Sequence, residues 1–319
     1  MKISIVIPTY KRDDLLRRCL ESLVNQRLPS SEYEIIVVDD AYNRPTHDVV
    51  MEFSQRYREH NFRYIPVSGT HGPAAARNIG WKNADGEIIA FIDDDCIANP
   101  DWLVEGAYAF SRDTAAVSGR IIVPIPKIPS DQELCVSWME ECNFLTANSF
   151  YSKKVLEETG GFDERFRMAW REDTDLYFNV LSRNYPVKFS LKAIVTHPVK
   201  KRRWGTGFKE EKKNQYNALL YKKYKTLFKK TIEEKPPLHY YAAVICFLIA
   251  VFGGIFLPEL KLFFIPWLAI SLSFAERRLR STSKHPLDVL EILYTSFILP
   301  FFSIFWRLTG AIRFKTFYF

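Results

Sequence analysis

Three observations predict an α/β fold, a mostly parallel sheet with helices on both faces, followed by a C-terminal helical membrane region. Strand-like and helix-like segments alternate over residues 1–199, the pattern of strands joined by crossover helices. Charge divides sharply: residues 1–199 carry a net −6, residues 200–235 a net +9 and residues 236–319 a net +4. Three long apolar runs fall after residue 236.

Each element has its own signal. Ile3 to Ile7 is rich in β-branched residues, as expected of a strand buried on both faces. Leu15, Leu16, Cys19, Leu20, Leu23 and Val24 then recur at helical spacing until Pro29 breaks the pattern. A second strand is predicted at Glu34 to Val38. Thr46 is expected to cap a helix whose apolar face is Val49, Val50, Phe53 and Tyr57. A strand at Phe62 to Val67, a helix from Pro73 to Ala84 and a strand at Ile88 to Ile92 follow. Asn99-Pro100 reads as a helix start, Asn as cap and Pro in the first turn. Asp173 to Leu181 reads as a helix with Leu176, Tyr177, Val180 and Leu181 on one face.

The C-terminal runs have membrane dimensions. Leu238 to Leu257 is twenty residues without formal charge, enough to cross a core of about 30 Å. Leu262 to Ala275 is fourteen uncharged residues followed by Arg277, Arg278 and Arg280, so the pair reads as a hairpin with both basic ends cytoplasmic. Ile292 to Trp306 is interrupted by Pro300 and basic at both flanks, which predicts a re-entrant or interfacial segment. The expected division is 1–199, an N-terminal α/β domain; 200–235, a basic amphipathic juxtamembrane segment; and 236–319, a membrane-attachment region. In the basic segment Trp204, Phe208, Tyr216, Tyr221, Tyr224 and Phe228 interleave with Lys and Arg. Nucleic acid would use the same ingredients, but continuity with an apolar run favours an anionic lipid surface and no nucleic acid. The five cysteines are scattered without CxxC spacing, which predicts reduced thiols. The apolar run at Ile3 to Ile7 is too short for a signal peptide, so the N-terminal domain is expected on the cytoplasmic face of a cell membrane. Hydrophobic residues at 47% and charged residues at 25% exclude wholesale disorder and a collagen-like chain.

In a doubly wound sheet, ligands bind at the carboxyl ends of the strands. Here those ends carry Pro8-Thr9-Tyr10-Lys11-Arg12, then Asp39-Asp40, then Asp93-Asp94-Asp95. Three adjacent carboxylates repel one another, and a hard cation such as Mn²⁺ or Mg²⁺ accounts for them better than a solvated turn does. Between them stands Gly72-Pro73-Ala74-Ala75-Ala76-Arg77-Asn78-Ile79-Gly80, whose small residues allow close helix packing and whose Arg77 can meet phosphate. Glu172 and Asp173, taken alone, read as acids favoured at a helix N-terminus by ~0.3–1 kcal/mol.

The order Val-Ile-Pro-Thr-Tyr (6–10), Ile-Val-Val-Asp-Asp (36–40), Gly72 to Gly80, Phe-Ile-Asp-Asp-Asp (91–95), with Thr-Gly-Gly-Phe-Asp-Glu (159–164) and Arg-Glu-Asp-Thr-Asp-Leu (171–176), resembles the family 2 glycosyltransferases, inverting enzymes of the GT-A fold. The resemblance covers roughly residues 2–200. It implies transfer of a sugar, hexosyltransferase-type, from a nucleotide-sugar, most simply UDP-linked, to a lipid-linked or surface-glycan acceptor. It places Pro8, Tyr10, Arg12, Asp40, Arg77, Asp93 and Asp94 on the donor, with Tyr10 against the base, Asp40 accepting from a ring N–H and Arg77 facing the diphosphate. Asp93 to Asp95 would be the DxD element, with Asp95 and Asp93 metal ligands and His197 a further one. Asp173 would be the general base beside Glu172, and Asn148 and Trp170 would lie on the acceptor side. Trp170 suits sugar stacking and core packing equally. Lys201-Arg202-Arg203-Trp204 is similar to the Q-x-x-R-W element of processive members, but Lys200 stands at the Gln position. That departure favours single addition over a processive polysaccharide synthase; a catalytically inert nucleotide-sugar-binding scaffold is the alternative of another class. A homo-oligomer stays open.

Overall fold

The structure is a computed structural model and describes residues 2–111, 113–200 and 204–318. The Lys201 to Arg203 part of the basic motif therefore lies outside the described residues. The chain forms two compact units, Met1–Pro124 with Ser137–Val199, and Ile125–Val136 with Lys200–Phe319.

The first unit is built on an eight-stranded sheet in the order β3-β2-β1-β4-β7-β6-β8-β5. Its strands are β1 (Ile3–Thr9), β2 (Tyr33–Asp39), β3 (Asn61–Pro66), β4 (Ile88–Phe91), β5 (Ile97–Ala98), β6 (Ala116–Ile122), β7 (Ser149–Ser152) and β8 (Val187–Thr196). Helices α1 (Asp13–Val24), α2 (Arg44–Arg56), α3 (Pro73–Lys82), α4 (Trp102–Ala109), α6 (Lys153–Thr159) and α7 (Glu172–Ser182) connect them, and α5 (Asp131–Ser137) lies mostly in the second unit. The half formed by β3, β2, β1 and β4 is all parallel, as the alternation predicts. Beyond β4 the sheet is mixed: β7 runs antiparallel to β4 and β6, β5 antiparallel to β8, and β6 parallel to β8. Strand direction there is set by pairing partners far along the chain, which local periodicity does not carry.

β1 is buried in all but Pro8, and its polar Ser4 is satisfied: Ser4 Oγ donates to Glu34 (2.6 Å) and accepts from the Gly86 amide (2.8 Å). Two helix starts differ from expectation. The cap of α2 is Asn43, whose side chain accepts from the Thr46 amide; Thr46 itself sits inside the first turn, after Pro45. At α4, Asn99 Oδ1 accepts from the Asp101 amide (3.1 Å), making a turn before a helix that begins at Trp102. In each case a short polar side chain satisfies amides just ahead of it, and the first helical residue follows that turn.

α3 packs tightly on β1. Ala74, Ala75 and Ala76 are buried, and a Cβ at Gly80 would fall on the Val6 side chain. This close approach fixes the height of α3 over the sheet and hence the placement of Arg77.

In the second unit the basic stretch folds as three short helices, α8 (Thr206–Glu210), α9 (Gln215–Lys223) and α10 (Lys225–Thr231), not as one amphipathic helix. Then come α11 (Leu238–Leu248), α12 (Gly254–Phe256), α13 (Phe264–Leu279) and α14 (Pro286–Arg313). Among the described residues, three stretches are long and apolar enough to cross a membrane, Leu238–Phe256, Pro258–Leu279 and Pro286–Arg313. Pro300, expected to break the last run, lies inside one continuous 28-residue helix. Contacts of α14 with α9, α11 and α13 outweigh the ~3 kcal/mol that an interior proline costs.

Gly80→Val is expected to overpack the α3–β1 contact and lower stability by ~1–3 kcal/mol, read as a lower urea midpoint at unchanged m.

Candidate active site

The parallel register puts Thr9 beside Asp39 and Val6 beside Phe91, so the chain leaves β1, β2 and β4 at one edge of the sheet. Connections run outward to β2 on one side of β1 and to β4 on the other, which makes the carboxyl edge between β1 and β4 a switch point. The acidic loop Asp93 to Asp95 stands there.

Each of its carboxylates has a different environment. Asp94 is buried; it accepts from Thr9 Oγ1 (2.8 Å) and from Arg12 (3.1 Å). Burial raises its carboxyl to about 6, against the opposing pull of Arg12. Asp95 lies 3.5 Å from both Arg12 and His197 Nε2. Asp93 accepts from Arg77 (2.8 Å).

Arg77 is the centre of the site. Its side chain is 4% exposed, one nitrogen donating to Asp93 and the other to Glu172 (2.9 Å). Both terminal nitrogens of Arg77 are held by carboxylates inside the protein. This buried guanidinium faces Asp93, Glu172 and the neighbouring Asp173, and three acids around one cation favour retention of a proton. Accordingly burial, and next the nearby Asp173 charge, lift Glu172 to about 7; its Oε2 is buried with no partner among the described residues. Asp173 is also raised, chiefly by burial, and it accepts from the Thr174 amide (2.6 Å) and hydroxyl (3.1 Å).

Local backbone aims these groups. Glu172 and Asp173 open α7, one residue earlier than predicted, directly after Arg171 in the left-handed region at φ 75°. Lys11, just after β1, is also left-handed at φ 53°. Two non-glycine residues in that region beside one site are held there by the surrounding structure. At the start of α3, Gly72 has φ 116° and its amide donates to Asp40 (2.9 Å).

The remaining candidates divide. Tyr10 is exposed, with Lys11 over its ring at 5.5 Å, and Pro8 is half-buried in β1. Asp40 is braced by Gly72 and by His71 Nδ1 (2.8 Å). Trp170 is half-buried with the Arg171 guanidinium 4.7 Å from its ring centre. Asn148, expected on the acceptor side, is buried: its amide donates to the carbonyls of Arg120 and Ala193 (2.8 Å each) and accepts from Trp102 Nε1 (2.8 Å). It ties β6, β8 and α4 together and is a structural residue.

Sequence reasoning also missed Asn78, which accepts from the Phe162 amide (2.9 Å) and donates to the Phe162 carbonyl (2.8 Å) and to Glu164 (2.9 Å). It pins the Gly160-Gly161-Phe162 turn to α3. Asp39 was passed over for Asp40, yet it is buried and holds the Ala41 and Asn43 amides and the Tyr64 hydroxyl.

Asp95, Cys96 and His197 bring one ligand atom each within 4.8 Å of one another. Nδ1 of His197 is buried without a partner among the described residues. A carboxylate and an imidazole at a crevice edge fit a divalent cation that keeps open positions for substrate oxygens. Burial pushes the Cys96 thiol well up, which leaves it a poor ligand beside them.

The fold and the strand-edge site define a GT-A protein. The profile described as glycosyl transferase family 2 matches residues 4–170, and the chain belongs to that family. It is 41% identical over 113 residues to a poly(ribitol-phosphate) beta-glucosyltransferase of Bacillus spizizenii, a match covering 35% of this chain and 18% of that one. It is 25% identical over 244 residues to the probable glycosyltransferase YdaM of Bacillus subtilis, covering 69% and 57% respectively. The chain thus spans less than two thirds of these curated relatives' length. Among solved structures, the mannosyltransferase PcManGT of Pyrobaculum calidifontis, in complex with GDP-Man and Mn²⁺, superposes with a TM-score of 0.60 at 16% identity over 98% of this chain and 87% of that one. Residues 1–349 of S. aureus TarS in complex with UDP-GlcNAc give 0.51 at 18% identity over 100% and 93%.

A carboxyl raised from 4.5 to about 7 holds a proton in the folded state that the unfolded chain has lost, so its contribution to stability is greatest below about pH 4.5 and declines as pH rises to about 7. Glu172→Gln is expected to flatten this decline in chelator-treated protein, measured as denaturant midpoints across that range.

Proposed function

We propose that this chain transfers a sugar from a nucleotide-sugar to a lipid-linked or glycan-polymer acceptor by single displacement with inversion. The observation that carries the reading is the Asp93–Arg77–Glu172 bridge, which joins the strand-edge acidic loop to the helix start where Asp173 stands. The acceptor hydroxyl gives its proton to Asp173 as its oxygen bonds to the anomeric carbon. The bond from that carbon to the diphosphate breaks, and the electron pair leaves with the nucleoside diphosphate. Burial raises Asp173, which suits a base working near neutral pH. Glu172, held by Arg77, positions α7.

The donor occupies the edge lined by Pro8, Tyr10, Arg12, Asp40 and Asp94, with Tyr10 against the base; the UDP-GlcNAc complex of TarS supports a uridine nucleotide and the GDP-Man complex of PcManGT a guanosine one. Mn²⁺ or Mg²⁺ would be held by Asp95 with His197, and Asp93 to one side, and when bound supplies charge neutralisation for the leaving diphosphate. A polymeric acceptor draws support from the relatives named for poly(ribitol-phosphate). Trp170, close to Arg171 and Glu172 in sequence, is placed on the acceptor side. The division at 199 and 235 and a catalytic domain on the cytoplasmic face belong to the same proposal.

Purified protein is expected to release nucleoside diphosphate from at least one donor in a nucleotide-sugar panel with Mn²⁺ and membrane extract. Asp173→Asn should lower kcat about 10²–10⁴-fold with donor affinity by calorimetry unchanged; near-normal turnover would remove Asp173 as base.

A further inference from the structure

The placement of α14 follows from what holds it. At one end of the α11–α13 hairpin, the start of α11 and the end of α13 lie together, with the Tyr240 and Phe274 rings 5.3 Å apart. Phe247 and Phe264, at 6.0 Å, mark the middle of the hairpin, where Phe301 and Phe297 of α14 meet Phe247 (5.1 Å) and Trp267 (5.3 Å). Residues well apart on α14 are both tied to the first end. Arg278, in the last turn of α13, donates to Thr295 and Ser296 (2.9 Å each). Arg307 donates to Glu233 (3.1 Å), just ahead of α11. From Thr295 to Arg307 a helix rises roughly 18 Å. A helix lying alongside the hairpin axis would carry one of these residues well away from that end.

The polar helices run beside α14 for most of its length. The Gly205 amide donates to Glu291 (2.8 Å), Lys212 lies 5.7 Å from the Trp306 ring centre, Arg313 donates to Gln215 (2.8 Å), and Lys222 donates to the Phe314 carbonyl (2.8 Å). If α14 crossed a bilayer, Lys209, Glu210, Glu211, Lys212 and Lys213 would be drawn in with it, at roughly 2.5–3.5 kcal/mol for each such charge at the centre. Meanwhile Leu287, Leu290, Tyr294, Phe305, Leu308 and Ile312 recur at helical spacing along one exposed face.

We propose that α14 lies along the membrane interface and does not cross it, with its exposed apolar stripe resting on the acyl chains of the bilayer. The chain then crosses twice, through α11 and α13, and its C-terminus stays on the side of the first unit. This rests on insertion of the hairpin and is independent of the catalytic reading.

Labelling with a membrane-impermeant maleimide tests it in cells expressing the full chain. Cys142 is exposed in the first unit and reports that unit's side. Glu259→Cys reports the hairpin tip, and Lys315→Cys the end of α14. The expected result is that Lys315→Cys labels under the same condition as Cys142, intact or permeabilised, and Glu259→Cys under the opposite one. Lys315→Cys labelling together with Glu259→Cys, opposite to Cys142, would establish a third crossing and overturn the proposal. All three positions labelling alike would remove the inserted hairpin and the proposal with it, leaving nucleotide-sugar turnover to be judged by its own assay.

Discussion

One buried guanidinium organises the first unit's functional edge. Arg77 reaches from α3 to the loop after β4 and to the first residue of α7, segments far apart in sequence. A buried charge stripped of either partner leaves an uncompensated ion, so the bridge holds both segments to one geometry. The cost is an excess of negative charge. Burial lifts both Glu172 and Asp173, and for Glu172 the Asp173 charge adds to it.

The surrounding architecture serves the same placement. β2 and β4 are buried along their length and β1 in all but Pro8; β1 and β2 end level at Thr9 and Asp39, β4 ends at Phe91 beside Val6, and their loops emerge on one side of the sheet. Thr9 and Arg12 then fix Asp94 from the β1 side, while His197 approaches Asp95 from the end of β8. The site is therefore assembled from both halves of the sheet, and Asn148, by tying β6, β8 and α4, secures the half that delivers His197.

Much of this was legible in the sequence. Short apolar runs ending in Asp39-Asp40 and Asp93 to Asp95 gave the strands and the acidic rim, because burial and strand length are local properties. The partners of Arg77 and Asn148 were not legible, since each is chosen by the tertiary arrangement; an arginine among small residues looks the same whether it meets phosphate or carboxylate. The mixed pairing of β6, β7 and β8 escaped for the same reason. Pro300 misled in the other direction, a strong local signal overruled by packing on several sides. Charge partition was the most informative coarse feature, since the surplus of positive charge belongs to the helices that line α14.

Arg77 and Asn78 are consecutive on α3, and the one holds the acidic loop while the other holds the turn that leads towards Glu172. The spacing between the acidic loop and the start of α7 is consequently measured by a single helical turn, seated on β1 through Gly80. α3 acts as a ruler: it holds the acidic loop and the start of α7 at one separation. In this chain that gauge is made of little more than alanine, glycine and one arginine.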